Sequence, residues 1–290
     1  MSDSHIDGAI RSRLYHEHLI LGAEFGDNGH VLRYHSQESE HASNAWHEGA
    51  VLAEVTGHYL LLASGDASPQ FAEAACAGKK LAVGACAFEG VLTGDGSLVS
   101  IPLLARTGDH EYLFFDRSPR IDVLDAWLSF LSGIEQNGVS PFAGVHCEEV
   151  ADTHVAFLLW GKRSTELLSD YLHDGEHLPR KGEVRACMLD EIPCIVMRPE
   201  MARHDAYLLL VPPHKSVILW RSMLSFTYAT PVGNKTVNEM LDQGTTWWKL
   251  VSQDGAIRVS KDALESMHLV RAQPDYVGAR GLEGATERGV

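Results

Sequence analysis

The sequence predicts an α+β protein made of two related halves. Segments typical of strands and helices are mixed without the strict alternation of a parallel sheet. The stretch GHYLLLASGDASPQFAEAA also has a counterpart in THVAFLLWGKRSTELLSDYL, which starts at Thr153. Both have the pattern of a strand, a glycine turn and a helix, so Gly161 corresponds to Gly65. We therefore expect two pseudo-repeated lobes, with the repeat boundary near 140–152, around a central cavity where strand ends and loops converge.

The first half is predicted to contain a strand, a helix and an antiparallel meander. A strand is predicted from Val55 in VTGHYLLLAS, and a helix follows in PQFAEAACAG. The next strand is predicted in CAFEGVLT, a Gly-Asp-Gly turn at 94–96 leads into LVSIPLLAR, and a turn at Gly108-Asp109 leads into EYLFFD. Tight turns between apolar runs favour antiparallel pairing of these strands.

A helix over IDVLDAWLSFLSGI is expected next, because its apolar residues recur at helical spacing: Val123, Leu124, Trp127, Leu128 and Leu131. In the second half, a strand, a loop, a second strand (AYLLLVPP) and a helix (HKSVILWRSMLSF) follow Pro193. The tail at 279–290, ARGLEGATERGV, is small and polar and is predicted to be flexible, which leaves residues 1–278 as the folded domain.

The composition restricts the class of partner. The chain has 290 residues, 45% of them hydrophobic, and a formal net charge of −15. An acidic protein has no cationic face for phosphates, so nucleic acid and anionic membrane are disfavoured as partners, and small molecules or other proteins are expected. The first twenty residues have no apolar signal region, which predicts a cytoplasmic protein. The five cysteines are an odd number with no Cys-x-x-Cys pair, so we expect reduced core thiols.

An acid and a base stand where a buried strand should end, in the stretch EYLFFDRSP at 111–119. Pro119 cannot continue the hydrogen-bonded ladder, so Asp116 and Arg117 lie at the exit of the strand. A guanidinium is always charged and offers a planar fork that suits a carboxylate. Arg117 is therefore a candidate anion anchor. The alternative is an exposed arginine paired with a nearby acid: Asp116, Glu111 or Asp122.

Two stretches carry a resemblance to a known family. WHEGAVLAEVTGHYLLLASGDA and the meander GVLTGDGSLVSIPLLARTGDHEYLFF resemble the folate-binding half of the glycine-cleavage aminomethyltransferase family, which also contains tetrahydrofolate-dependent demethylases. The similarity runs from about Leu14 to Val277. The similarity is nearest to the aryl ether demethylases, and three motifs carry it. They are Thr56-Gly57-His58 after an Ala-Val-Leu run, the stretch Asp116-Arg117-Ser118-Pro119, and an arginine followed by Met201-Ala202 and AYLLLVP.

The resemblance implies an enzyme that moves a methyl group from a small anionic, aromatic donor to tetrahydrofolate. It implies that Arg117 and Arg198 bind the substrate carboxylate. His58 and Tyr207 would be the catalytic groups, because an imidazole can orient or protonate a leaving oxygen near neutral pH and a phenol can do the same. The cofactor site would be lined by Glu54, Phe88, Phe115 and Asp116, although Glu54, Phe88 and Tyr207 could equally be packing residues and His58 a surface or capped histidine.

Several positions depart from the family pattern. The catalytic aspartate of the aminomethyltransferases would fall at Ser100 or Ile101, and the glutamate that clamps the pterin falls on Leu208. The C-terminal barrel of most members has no counterpart. These departures favour a second hypothesis, a catalytically degenerate scaffold or subunit that acts through ligand or protein binding, as a homo-oligomer or with a partner subunit. The histidine-rich start of the chain has no recurrent carboxylate or cysteine spacing, so no metal is expected.

Overall fold

A computed structural model of the chain describes residues 12–26, 29–35 and 38–286. These residues form two compact units. Unit 1 consists of the described residues up to Gly57 together with 151–180 and 185–244. Unit 2 consists of 58–150, 181–184 and the described residues from Thr245 onward. The chain passes from one unit to the other at 57–58, 150–151, 180–181, 184–185 and 244–245. That the units are structural repeats stays a prediction.

The helices are short, and the described residues contain ten of them: α1 Tyr15–Ile20, α2 Glu38–Glu48, α3 Ser68–Ala75, α4 Ile121–Ser132, α5 Ser164–Ser169, α6 Pro213–Leu224, α7 Asn234–Gly244, α8 Trp248–Val251, α9 Lys261–Ser266 and α10 Ala279–Thr286. None of them is long and apolar enough to cross a membrane.

The strands in the same part of the chain are β1 Glu24–Phe25, β2 Val31–Arg33, β3 Ala50–Glu54, β4 Tyr59–Ser64, β5 Cys86–Phe88, β6 Val91–Leu92, β7 Leu98–Ser100, β8 Leu103–Gly108, β9 Glu111–Asp116, β10 His146–Glu149, β11 Val155–Trp160, β12 Glu183–Leu189, β13 Ile192–Arg198, β14 Ala206–Val211 and β15 Ala229–Pro231. Two large sheets result, and helices and strands are mixed, so the α+β prediction is confirmed.

The sheet of unit 1 has the strand order β12-β13-β14-β11-β3-β15. Its central strands are antiparallel, and Phe157 of β11 is the register partner of both Glu54 and Leu209. Direct cross-strand partners share a face of a sheet, and successive residues alternate between faces. One face packs in a core with Trp220 of α6 and Leu167 of α5. That arrangement places Glu54, Phe157 and Leu209 on the core face and Leu208 on the other.

The main sheet of unit 2 has the order β10-β4-β9-β8-β5, and all its pairings are antiparallel. Its core face carries Tyr59, Leu104 and Phe114, which pack with residues of α3 and α4. Tyr59 of β4 pairs with Asp116 of β9 at one end of the sheet. The strand over EYLFFD and its antiparallel pairing with β8 are confirmed by this topology. The strand predicted in LVSIPLLAR is divided into β7 and β8, which belong to different sheets.

A strand, a glycine and a helix follow one another in both units. β4 is followed by Gly65 and α3, and β11 by Gly161 and α5. Gly65 has a φ of 98° and Gly161 a φ of 152°, which L-residues with a side chain rarely adopt. A Cβ at either position would also lie within 2.6 Å of a carbonyl oxygen, that of Gly144 or Gly49. Glycine is therefore required at both turns.

The structure also corrects two other sequence predictions. The strand expected in CAFEGVLT is interrupted, because Glu89 is buried and Gly90 packs so tightly that a Cβ would come within 2.8 Å of the Leu269 carbonyl oxygen. β5 and β6 consequently belong to different sheets. The tail predicted to be flexible forms α10 over Ala279–Thr286, and Leu282 is buried. The last four residues, 287–290, lie outside the described residues.

The helix predicted over IDVLDAWLSFLSGI is confirmed as α4. Leu124, Leu128 and Leu131 are buried along it, as the spacing predicts. Val123 differs, since nearly half of its surface (47%) is exposed.

Candidate functional site

The face of the unit 2 sheet that lies opposite α3 and α4 carries two of the predicted site residues. Phe88 pairs with Leu103, and Leu103 pairs with Phe115. These three side chains therefore form one row across β5, β8 and β9. Phe115 is 8% exposed, whereas Phe88 is half-buried. The row is an apolar, partly aromatic floor.

Arg117 lies at the end of this face, against a tryptophan of the same unit. Its guanidinium carbon is 5.6 Å from the centroid of the Trp248 ring, a cation–π contact. Trp248 touches Trp247, with 6.1 Å between ring centroids, and Trp247 packs on Phe88 at 4.7 Å. Phe88, Arg117, Trp247 and Trp248 thus form one continuous group, which we name the aromatic–arginine cluster.

The guanidinium of Arg117 is not a surface group. Its Nε and Nη1 atoms are buried. Burial lowers the pKa of Arg117 to about 10, and the negative charge of Asp116 acts in the opposite direction. Arg117 as a whole is half-buried, so the exposure expected in the alternative interpretation is not observed. The neighbouring Arg120 has a different role, because it donates hydrogen bonds to the carbonyls of Val99 and Gly255 and so fixes the local backbone.

Asp116 faces the opposite side of the strand from Phe115. Its carboxylate accepts hydrogen bonds from the Ser100 hydroxyl and from the Ser118 backbone N–H, at 2.7 Å for the latter. Burial raises the pKa of Asp116, while these hydrogen bonds and the charge of Arg117 lower it. Ser100, the position where the family aspartate was expected, thus supports a carboxylate that lies on β9. Asp116 and Phe115 were predicted to line the same cofactor site, but their side chains lie on opposite faces of β9.

His58 comes one residue before β4, whose first residue pairs with Asp116. It therefore lies at the same end of the sheet as Arg117, and it is half-buried. The structure brings these two predicted residues to one sheet end. Its role in proton transfer stays a prediction.

The predicted residues of unit 1 take part in internal contacts. Arg198 forms an ion pair with Asp205 at 2.7 Å, donates to the Pro179 carbonyl at 3.2 Å and lies over the Tyr207 ring. Tyr207 is fully buried, and its hydroxyl is 2.8 Å from Thr165 Oγ1. These contacts favour the packing alternative for Tyr207, and they give Arg198 a structural partner.

Glu54 is held in a buried network on the core face of unit 1. The hydroxyl of Ser12 donates to one of its oxygens, and His18 Nε2 lies 2.6 Å from the other. On the far side of the imidazole, Nδ1 is 2.8 Å from the Tyr34 hydroxyl. Burial raises the pKa of Tyr34, so its hydroxyl stays protonated and can donate a hydrogen bond to Nδ1. When Nδ1 accepts this bond, the proton of a neutral imidazole lies on Nε2, on the side of Glu54. This favours a structural role for Glu54.

Leu208, which takes the place of the expected pterin-clamping glutamate, is 3% exposed. Its register partners are Leu158 and Met197, so that side of the sheet is apolar at this point. Neither register partner of Leu208 is a carboxylate that could take the place of the expected glutamate.

Sequence reasoning missed three residues of these groups, namely Trp247, Trp248 and His18. The dipeptide Trp247-Trp248 was a usable signal, because tryptophans are the preferred partners of cations and flat ligands. His18 gave no signal beyond the histidine-rich composition. Within the described residues, no group of three or more metal-ligating side chains lies close enough to hold an ion. All five cysteines are free, and four of them are buried.

No protein-family model matches the sequence, and no curated protein matches it. Solved structures do match. The glycine cleavage system aminomethyltransferase T from Bartonella henselae aligns with a TM-score of 0.71 at 16% identity, covering 97% of this chain and 76% of that chain. The heterotetrameric sarcosine oxidase from Corynebacterium sp. U-96, in complex with pyrrole 2-carboxylate, aligns at 15% identity and a TM-score of 0.43, covering 75% of this chain and 96% of that chain. The chain therefore has a fold similar to that of the aminomethyltransferase.

Proposed function

We propose that the chain is a one-carbon transferase that takes a methyl group from a small anionic donor, an aromatic acid carrying a methyl ether being the first candidate. The observation that carries the proposal is the aromatic–arginine cluster of unit 2. It combines a buried guanidinium with tryptophan and phenylalanine rings. The similarity to an aminomethyltransferase supports the same class of chemistry, although at this identity it concerns the fold.

In this proposal the residues of unit 2 bind and orient the donor. Arg117 receives the donor carboxylate in a charge-assisted, two-pronged hydrogen bond. Trp247 and Phe88 offer rings against which an aromatic body can pack. The methyl carbon would form a bond to a nucleophilic atom of the acceptor while its bond to the donor oxygen breaks. The oxygen keeps the electron pair of that bond and becomes a phenolate that needs a proton. His58, at the same end of the sheet, is the candidate to supply that proton. Holding the donor in one orientation accounts for much of the rate in such a displacement.

Tetrahydrofolate is the acceptor that the family resemblance implies, and the residues that should hold its pterin ring do not fit it. Leu208 cannot accept hydrogen bonds from the ring and lies among apolar residues. Glu54, the carboxylate on a neighbouring strand, is already engaged by Ser12 and His18. We therefore derive no step through the folate.

The proposal is tested by incubating the full chain with tetrahydrofolate and a panel of methoxybenzoates, with chromatographic detection of the demethylated phenol and of methyltetrahydrofolate. We expect a phenol from at least one donor, and none from the corresponding methoxybenzamide, which has no carboxylate for Arg117. Absence of phenol with every donor would contradict the proposal. Arg258→Gln is a control that should retain the activity, because this exposed arginine of unit 2 pairs with Asp95 on the surface.

The apolar surroundings of Leu208 favour a second candidate, a ligand-binding or assembly protein that kept the scaffold without methyl transfer. Titration calorimetry with tetrahydrofolate separates the two. Affinity weaker than millimolar, together with a stable complex with another protein in pull-down from the native host, would support the scaffold. Tight folate binding would contradict it.

A further inference from the structure

We propose that the outer side of α4 is a docking surface for an amphipathic helix of another protein, one that carries apolar side chains together with lysine or arginine residues. The surface lies in unit 2 and shares no residue with the aromatic–arginine cluster, so it is independent of the proposed transferase function. Its centre is a row of apolar residues that we name the α4 stripe: Val123, Ala126, Trp127 and Phe130.

Helix α4 is apolar on two sides. Its buried side packs in the core of unit 2 through Leu124, Leu128 and Leu131. A surface helix normally carries polar residues outside the part that faces the core. On α4, Phe130 is instead 58% exposed and Val123 47% exposed, although both are large apolar residues. Single exposed apolar residues are common, but a contiguous apolar surface on a folded domain marks an interaction site.

The spacing of the α4 stripe suits a helical partner. Its residues occupy positions i, i+3, i+4 and i+7, which are neighbours on the surface of a helix. When two helices pack side by side, four residues at this spacing surround a hole that receives one side chain of the partner. Ala126 is the small member of the group and is exposed, so it leaves space between Val123 and Phe130. An apolar side chain of a facing helix would fill this space.

Two aromatic rings of the stripe are already arranged as a flat surface. Trp127 and Phe130 are stacked, with 5.5 Å between ring centroids and 28° between their planes. Trp127 is half-buried and packs against the core of unit 2, which holds its ring in place. Because binding costs free energy when it immobilises side chains, a ring that is already fixed loses less on complex formation. Tryptophan is also among the residues that contribute most at the centres of protein interfaces.

The charges near the stripe indicate a cationic partner. The ionisable side chains of α4 are both acidic, and Asp122 is exposed directly beside Val123. Arg120, just before α4, has its guanidinium engaged by backbone carbonyl groups. Between Arg120 and Lys162 the sequence has no lysine or arginine, and it has six acids: Asp122, Asp125, Glu135, Glu148, Glu149 and Asp152. Interfaces are complementary in charge, so lysine or arginine is expected on the partner.

A second copy of this chain is disfavoured as the partner. It would bring the same acids to face one another, in a chain whose net charge is −15, and like charges repel.

A designed amphipathic peptide, LKKLLKLLKKLLKL with blocked ends, is the probe, and fluorescence anisotropy of its labelled form measures binding to the full chain. We expect saturable binding that weakens as the salt concentration rises, and much weaker binding of LEELLELLEELLEL, in which glutamate replaces lysine. Phe130→Gln should weaken binding of the lysine peptide by about 10-fold or more, as expected for a central interface residue. Ala126→Phe should also weaken it, because the added ring fills the hole although it makes the surface more apolar.

Ile218→Gln is the matched control, since Ile218 is a large apolar residue of α6 in unit 1 with a similar exposure, 61%. It should bind the lysine peptide as the parent chain does. The proposal is overturned if that peptide does not bind, if Phe130→Gln binds it unchanged, or if Ile218→Gln weakens binding equally. Tighter binding by Ala126→Phe, or equal binding of the glutamate peptide, would also contradict it.

Sedimentation of the parent chain, alone and with neutral phosphatidylcholine vesicles, tests the other occupants. Self-association or vesicle binding that Phe130→Gln abolishes would overturn the proposal, because the stripe would then be covered by a second copy or by a membrane. Failure of demethylation would leave every one of these outcomes unaffected, so the two proposals are separable.

Discussion

Arg198 in unit 1 ends β13, and Arg117 in unit 2 directly follows β9. Both were predicted to bind substrate, but their surroundings differ. Arg198 has a carboxylate at 2.7 Å and a backbone carbonyl at 3.2 Å. Arg117 lies over the ring of Trp248, and the charge that acts on it is that of Asp116, which is itself hydrogen-bonded by two serines. Arg198 thus forms an ion pair with Asp205, and Arg117 forms a cation–π contact with Trp248.

The buried carboxylates of the units show the same contrast. Glu54 in unit 1 has both oxygens engaged by side chains, one of them a histidine. Glu89 in unit 2 is completely buried, and burial raises its pKa to about 8. The charges of Lys79 and Arg271 oppose that increase only in part. Perturbed ionisable groups concentrate at functional sites more often than in purely structural networks. The proposed transferase chemistry, in contrast, rests on the aromatic–arginine cluster of unit 2.

The largest effect is expected from Glu89→Gln. The pKa of Glu89 is raised on folding, from 4.5 to about 8, so the folded chain retains a proton that the unfolded chain has lost. Stability therefore falls as the pH rises through this window, and the loss is complete above the folded pKa. The uncharged glutamine does not titrate. Urea unfolding at several pH values should show that the variant gains a few kcal/mol relative to the parent between acidic and mildly alkaline pH.

Glu148→Gln is the matched control for this measurement, because Glu148 is exposed on β10 of the same unit. Its pH profile should follow that of the parent chain. If the pH profile of Glu89→Gln were identical to that of the parent chain, the charge of Glu89 would be stabilised as well as that of Glu54. The contrast between the buried carboxylates of the two units would then be wrong.

The next effect concerns Arg117. Replacement by glutamine should weaken binding of a methoxybenzoate by about 10-fold to 100-fold, because it removes a charge-assisted hydrogen bond. Arg117→Lys should recover only part of the affinity, since an ammonium cannot form the bidentate pair. Calorimetry with the acid and with its uncharged amide measures both. Equal losses for acid and amide would mean that the variant perturbs the site generally and that Arg117 is not the anion anchor.

Arg198 should affect stability and not donor binding. Its ion pair with Asp205 is partly buried, with side chains 17% and 25% exposed. Its loss is expected to lower the free energy of unfolding by about 1–2 kcal/mol, between the ranges for exposed and buried pairs. A double-mutant cycle of Arg198→Gln and Asp205→Asn measures the coupling. Weaker donor binding in either variant, at unchanged stability, would restore Arg198 as a substrate-binding residue.

The sequence was sufficient for the elements with strong local patterns. β9 was predicted with its observed bounds, Glu111–Asp116, because an aromatic run ends at an acid and a proline. α4 was predicted from the spacing of its leucines. Helix α10 was missed, because its small and polar residues give no such pattern, yet Gly281 allows it to pack so closely that a Cβ would lie 2.2 Å from the Asp95 backbone.

Site residues were harder to predict, because their roles depend on partners distant in the chain. Arg117 and Trp248 are separated by 131 positions (248 − 117) in the sequence, and nothing local to either residue indicates the contact. The same holds for Glu54 and His18. A polar residue on a strand could line a cavity or close a buried network, and only the register, Glu54 opposite Phe157, shows that it faces the core.

The smallest effect tests the aromatic side of the comparison. Trp248→Phe keeps a ring next to the Arg117 guanidinium but reduces the cation–π attraction, which is strongest for tryptophan and amounts to about 0.5–2 kcal/mol. Because the ring helps to hold the guanidinium in the position that the donor carboxylate would bind, the variant should bind a methoxybenzoate only a few-fold more weakly. Trp46→Phe is a matched control, since Trp46 is a buried tryptophan of unit 1 near Arg203. If the two variants weaken donor binding equally, the ring of Trp248 contributes through general packing, and the distinction between the two arginines then depends on the ion pair of Arg198 alone.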